Sequence, residues 1–446
     1  MEKIEEKRRS PYDKVIHSYI SRLNSQIQSV PTLYNILSAQ LVANVKKVKE
    51  FISEHGSEEK NEEGKDIVRM PIEYLRAFDR LNANMNNSYQ ALENVGRNAV
   101  VAMVSMYDAF VGSLVKVIYD DMPQLLNQSQ KEFKLNNILL YKDFDELKEI
   151  VTEDEIETLL RKSHIEQLKW IEGKLGMPVT GFKALPLFVE LMERRNLFVH
   201  ANGIVSRHYL ETCEEYHIKD EENKLGKQLN AEIDYVIKSY EILFQTGVML
   251  GFVVWHKIRQ TEGEDLISIL SNVCYDLIKE GHYDLAIVMI DFTLENKSFK
   301  KHIVRADLLV FLINKALSFH LKDKQNECLA IVNELDLSAS APVYKLAAAV
   351  LKEDYDEALA YMAQIGNISI MRRYYKEWPL FTKFREKESF KNKYKELFNE
   401  DYSCLEVNKP EFEEILASAE KMIEQEEKTK TVGVKEAYNL DGAQPE

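Results

Sequence analysis

A chain of 446 residues is too long for one simple core and predicts two or three domains. Its 45% hydrophobic and 29% charged residues supply ample apolar material, while 16 glycines and 10 prolines are too few for a turn-rich β architecture, so an all-α fold is expected. The net charge of −15 excludes nucleic-acid binding through a broad basic field, though a local basic site stays open. Twelve acidic and five basic residues from Asp401 to Glu446 put −7 of it in the C-terminal tail.

In chain order, apolar residues at helical spacing run from Tyr12 to about Ser53, among them Val15, Ile16, Tyr19, Leu23, Leu37 and Leu41. EHGSEEKNEEGKD (54–66) has no large apolar side chain and reads as a solvated loop, so residues 1–70 form N-terminal helices with an acidic loop. From Pro71 a helical pattern resumes for about fifty residues and ends in NAVVAMVSMYDAFVGSLVKVIYDD, apolar on most sides and therefore central to a helical domain over 71–260. Two acidic helices follow, then a break at GMPVTG, a helix from near Lys183 to near Gly203, a polar stretch, and a long helix from Leu229 to Gln260. A boundary is expected at TEGED (261–265).

Over 265–400 the pattern changes. Gly281, Tyr283 and Ala286 form G-x-Y-x-x-A; Tyr355 and Ala358 repeat it without the glycine, and Cys328 stands at the alanine position of HLKDKQNECLAIV. Small residues at such points let antiparallel helices approach closely. The segment resembles tetratricopeptide-like helical repeats, although its intervals of 42 and 30 residues bracket the family's 34. WPLFTKFREKESFKNKYKELF reads as terminal helices closing the array, and 401–446 as an acidic, partly disordered tail.

Cys213, Cys274, Cys328 and Cys404 lie far apart without a C-x-x-C pair, which fits a cytoplasmic chain with inert thiols rather than a disulfide framework or a zinc site. MEKIEEKRRSPYDKV has no apolar core, so no secretory signal is expected. The apolar run Ile242 to Trp255 is short for a span and reads as a buried helix, with no membrane role. His208, Cys213 and His217 have ligand-like spacing but no fourth donor, so neither a metal nor any other cofactor is expected.

The stretch RRNLFVHAN (194–202) carries R-N-x-x-x-H at Arg195, Asn196 and His200. Arg195 and His200 fall about 140° apart on an ideal helix, with Arg195 in the apolar stripe of Leu191 and Phe198. Arg195 could simply pair with Glu190, Glu193 or Asp108, and surface exposure is the default for Arg194 and Arg207.

In its all-helical setting the motif resembles that of the HEPN superfamily, helical domains many of which are metal-independent ribonucleases, over roughly residues 70–260. The resemblance implies Arg195, Asn196 and His200 as catalytic residues, Asp108 on the YDAFVGSLVKVIY helix as a supporting acid, and a homodimer that joins two motifs in one cleft. The residue types suit the chemistry. Histidine moves protons near neutral pH, and a guanidinium fork steadies charge on a phosphodiester. The expected function is an RNA endonuclease of the toxin or phage-defence kind, with RNA (a tRNA loop among the candidates) as substrate and a protein or peptide partner on the repeats. The alternative is a non-catalytic dimeric adaptor.

Overall fold

The computed structural model describes residues 9–60, 66–128, 142–178, 181–218, 224–366, 370, 372–403 and 437–439. It is helical almost throughout, with one small three-stranded sheet, so the all-α expectation holds. Contacts divide the chain into two compact units of three stretches each: Met1–His17, Phe110–Phe182 and Phe244–Val407 in the first, Ser18–Ala109, Lys183–Leu243 and Asn408–Glu446 in the second. These limits differ from the divisions at 70, 260 and 400. Three long helices, α1 (Pro11–His55), α2 (Ile72–Asp121) and α7 (Ile233–Ile258), each contribute residues to both units.

In the second unit α1 and α2 run alongside each other, tied by Asn44 Nδ2 donating to Ser88 Oγ at 2.8 Å. The stretch expected to be a solvated loop (54–66) holds instead the strand β1 (Ser57–Lys60) and the start of β2 (Asp66–Met70), which pairs antiparallel with it, Glu58 opposite Val68. The reason lies just past the polar run: Val68 and Met70 are buried against Val48, Ile52 and Phe78, so the apolar IVRM segment anchors the hairpin. A third strand, β3 (Ala437–Asn439), pairs parallel with β2. The remaining tail residues, 404–436 and 440–446, lie outside the described residues.

Tyr19, Tyr107 and Phe188 form a buried aromatic column, with ring centroids 6.3 and 5.2 Å apart. The hydroxyls of Tyr19 and Tyr240 donate to Leu243 O and Asn24 Oδ1 at 2.7 and 2.8 Å, so the column is apolar in bulk and satisfied at its edges. Around it lie α5 (Leu185–His200), α6 (Arg207–Glu215) and the first turns of α7.

The first unit holds α3 (Phe144–Leu160), α4 (His164–Leu175), the later turns of α2 and α7, and the described residues from 263 through 403. The ends of α2 and α7 are joined by a two-pronged ion pair, Arg259 Nε and Nη2 to Asp121 at 2.6 and 2.7 Å, while Arg259 Nη1 reaches Glu262 at 3.0 Å. Arg259 holds the Asp121 carboxyl below the usual carboxylate range. By length and apolarity α2 and α7 could each cross a membrane; their apolar windows are 50% and 67% buried inside the protein.

Three helical hairpins follow: α8 (Gly263–Lys279) with α9 (Tyr283–Glu295), α10 (Arg305–Leu321) with α11 (Gln325–Val332), and α12 (Pro342–Leu351) with α13 (Tyr355–Ile365). Their turns share one geometry. Gly281, Asp323 and Glu353 all have positive φ (88°, 57° and 58°), and the next amide closes a bond five residues back: His282 to Leu277, Lys324 to Phe319, Asp354 to Ala349. Ala286, Cys328 and Ala358, the expected small positions, are fully buried, and α8, α10 and α12 pack one on the next. A short helix α14 (Arg372–Glu377) and α15 (Glu388–Phe398) follow, with Tyr375, Phe381, Phe384, Phe390 and Tyr394 buried as an aromatic cluster.

Three imidazoles in this unit are kept neutral by burial. His256, whose Nε2 lies 3.2 Å from His302 Nε2, His282 and His320 all have pKa values below that of free histidine, with desolvation as the main cause. The unfolded chain therefore binds more protons than the folded one below about pH 6.5, and stability falls as pH drops through that range. Each imidazole contributes up to about 1.4 kcal/mol per pH unit. Trp170, Trp255 and Trp378 all lie in this unit, so tryptophan fluorescence reads its melting. We expect a flat transition temperature above about pH 7 and a decline towards pH 5; constancy over that interval would contradict the burial argument.

Candidate functional site

Helix α5 carries the R-N-x-x-x-H motif in the second unit. Pro186 stands in its first turn, where a missing amide costs nothing, and Ala184 is its N-cap. It ends as expected near Gly203: the amides of Ala201 and Gly203 both reach Leu197 O at 2.9 Å, and Asn202 and Gly203 have φ of 49° and 78°. A Cβ on Gly203 would stand 2.5 Å from Leu229 O, so both the turn and the neighbouring strand-like segment demand glycine.

Arg97 of α2 clamps this turn. Its Nη1 donates to Asn202 Oδ1 at 3.1 Å and its Nη2 to Leu229 O at 3.2 Å and to Asn230 Oδ1, while the guanidinium lies 5.7 Å from the Phe198 ring. Nothing in the sequence pattern singled out Arg97, since its partners come from residues more than a hundred positions away.

The buried side of α5 is where the sequence reading needs correction. Arg194, expected at the surface, is only 8% exposed, while Arg195 beside Leu191 and Phe198 is half-buried with its Nε enclosed. Arg194 Nε donates to Glu190 Oε1 at 2.6 Å and its guanidinium stacks 4.1 Å from the Tyr235 ring. Tyr209 OH donates to the same carboxylate oxygen at 2.7 Å, and Tyr235 OH to Oε2 at 2.9 Å. Burial, followed by the Glu190 charge, raises the pKa of both phenols, so they remain donors at any working pH. Glu190, one offered partner for Arg195, is thus occupied by its neighbour, and the second, Glu193, lies 3.6 Å from His208.

The third offered partner is the one Arg195 meets. Its Nη2 is 3.9 Å from Asp108 Oδ2, with side-chain exposures of 22% and 29%, a long contact worth little as an ion pair. Arg195 Nη1 donates to Asn196 Oδ1 at 3.2 Å, and its buried Nε has no acceptor among the described residues. Asn196 is half-buried; His200 is exposed at the helix end, next to Val199, itself 47% exposed.

Measured around an ideal helix from Arg194, Arg195 stands at about 100°, Val199 at about 140°, Asn196 at about 200° and His200 at about 240°. All three motif residues therefore lie on the side of α5 away from Arg194, a side that is buried in the earlier turns through Phe188, Val189 and Met192 and opens only at Val199 and His200. The structure brings Arg195, Asn196 and Asp108 together and leaves His200 exposed at the helix end without placing it against them.

His208 and His217 are exposed while Cys213 is buried, and among the described residues no group of three or more His, Cys, Asp or Glu side chains is placed to hold a metal. Cys213, Cys274 and Cys328 are buried thiols outside any disulfide; burial pushes Cys328 up to about 11. Cys404 lies outside the described residues.

Comparison with protein-family models, with curated proteins and with solved structures gives no match to this chain.

Proposed function

We propose that the protein is a metal-independent RNA endonuclease of the HEPN type, acting as a toxin or phage-defence effector, with its site at the last turns of α5. The observation that carries this reading is the combination on one helix of Arg195, whose guanidinium donates to Asn196 Oδ1 and meets Asp108 only at 3.9 Å, with the exposed His200. In the proposed reaction the 2′-oxygen of the ribose bonds to the adjacent phosphorus and the bond to the 5′-oxygen breaks. The products are a 2′,3′-cyclic phosphate and a 5′-hydroxyl. His200 moves a proton between these oxygens, Arg195 steadies the charge on the non-bridging oxygens, Asn196 holds the fork in place, and Asp108 orients the guanidinium from α2.

A second copy supplies the other half of the cleft in this reading. Val199 and Ile204, 47% and 46% exposed on either side of His200 in the chain, offer apolar surface for such a two-fold contact. The hairpins α8 to α13 serve as a tetratricopeptide-like platform for a protein or peptide that restrains or triggers cleavage. A structured RNA such as a tRNA loop fits an acidic protein that captures its substrate locally. A cytoplasmic location is part of the same proposal.

Purified protein is incubated with total RNA in excess EDTA and the ends are mapped. Cyclic-phosphate ends are expected from the wild type, and His200→Ala lowers the rate by about 10²- to 10⁴-fold with an unchanged melting temperature. Cleavage by His200→Ala at the wild-type rate would end the proposal, and absence of cleavage by every form would favour a dimeric adaptor.

A further inference from the structure

The buried Glu190–Arg194 pair has no part in the chemistry above, and it is an unusual thing to place inside a helical unit. A carboxylate and a guanidinium removed from water are costly unless every lone pair and donor is met. Here both Glu190 oxygens are met, by Arg194 and Tyr209 on one and Tyr235 on the other, and the Arg194 guanidinium also lies on a ring. The donors come from three elements: α5 itself, α6 and α7.

Each bond is directional, so together they add to the packing of Phe188, Leu191 and Leu197 in fixing the rotation of α5 about its axis. Arg195 lies about 100° to one side of Arg194 and His200 about 120° to the other. A modest axial rotation therefore swings both, moving Arg195 away from Asp108. Arg97 holds the helix end at Asn202 but touches neither Glu190 nor Arg194, so it fixes the end without setting the middle.

We infer that Glu190 and Arg194 are positioning residues for the last turns of α5: the buried pair sets the axial rotation that presents Arg195, Asn196 and His200 to the substrate. As far as cleavage is concerned, this rests on the nuclease reading above. The geometric claim stands apart from it.

The test is the double variant Glu190→Gln/Arg194→Met in the full chain. It removes both charges together and leaves neither stranded. Three quantities are read: kcat and KM for RNA cleavage, the melting temperature, and the imidazole Cε1–H NMR resonance of His200, assigned by its loss in His200→Ala. A folded variant with nearly unchanged KM, kcat lowered at least tenfold and a displaced His200 resonance is expected. An unchanged His200 resonance overturns the inference, whatever kcat does.

If the wild type cleaves nothing, the nuclease reading fails while the resonance still decides the positioning claim. Should the double variant not fold, Tyr235→Phe removes one donor to Glu190 and keeps the ring beneath Arg194. The same resonance must move in it, in the same direction and by less; no movement is again fatal. Arg194→Lys, which retains the charge but not the fork, is expected to restore part of kcat relative to the double variant.

Discussion

Glu190→Ala will cost the second unit about 3–5 kcal/mol, because the substitution removes an acceptor and strands a cation in the same step. Arg194 stays buried without its carboxylate, and the hydroxyls of Tyr209 and Tyr235 lose the acceptor they share. The two phenols cannot compensate by ionising, since burial holds their pKa values up. All three tryptophans are in the other unit, so fluorescence is the wrong probe. Hydrogen exchange of the α5 amides is the right one, and about 3–5 kcal/mol corresponds to exchange faster by about 10²- to 10³-fold or more. Protection equal to the wild type would mean that the carboxylate contributes little, and the positioning role would lose its physical basis.

Gly96→Ala is expected to be comparably severe for a different reason. A Cβ at this point of α2 would stand 1.8 Å from the carbonyl oxygen of Ala231 and 3.3 Å from Val236 Cγ2. The nearest atom is backbone, which no rotamer change can move aside. Either α2 or the segment leading into α7 must shift, at a cost of about 3 kcal/mol or more. Because Arg97 is the next residue, the shift also pulls its guanidinium from Asn202 and Leu229, so the turn that ends α5 loosens as well. Denaturation followed by far-ultraviolet circular dichroism checks the stability, and exchange at the Gly203 and Leu229 amides checks the turn. A variant as stable as the wild type would show that the close approach is relieved at no cost.

Much of the helical frame was legible because its signals are local. The limits of α2, α5 and α7 follow from apolar spacing and from Pro186 and the Asn202–Gly203 stop. The small residues Ala286, Cys328 and Ala358 marked the hairpins correctly. What the sequence hid depends on distant partners. The β1–β2 hairpin was masked by its polar first strand, although IVRM supplied the anchor. The burial of Arg194 turns on Tyr209 and Tyr235, which lie 15 and 41 positions beyond it and have no spacing that announces them. Helical periodicity marks the stripe of Leu191, Arg195 and Phe198 but cannot show that the neighbouring arginine also has an enclosed carboxylate and ring to meet. Compact units assembled from three stretches apiece are likewise invisible to a linear reading.

The hairpins carry a consequence in their lengths. The positive-φ residues recur at intervals of 42 and then 30, yet the turns match and the connections 296–304 and 333–341 are equally long. The missing twelve residues come wholly from helix: α9 and α10 have 13 and 17 residues, whereas α11 and α12 have 8 and 10. At 1.5 Å per residue the longer member of the pair shrinks from about 25 to about 15 Å. Such an array is a wedge. Each layer offers less ledge for another to rest on, and growth stops by geometry as much as by a polar cap.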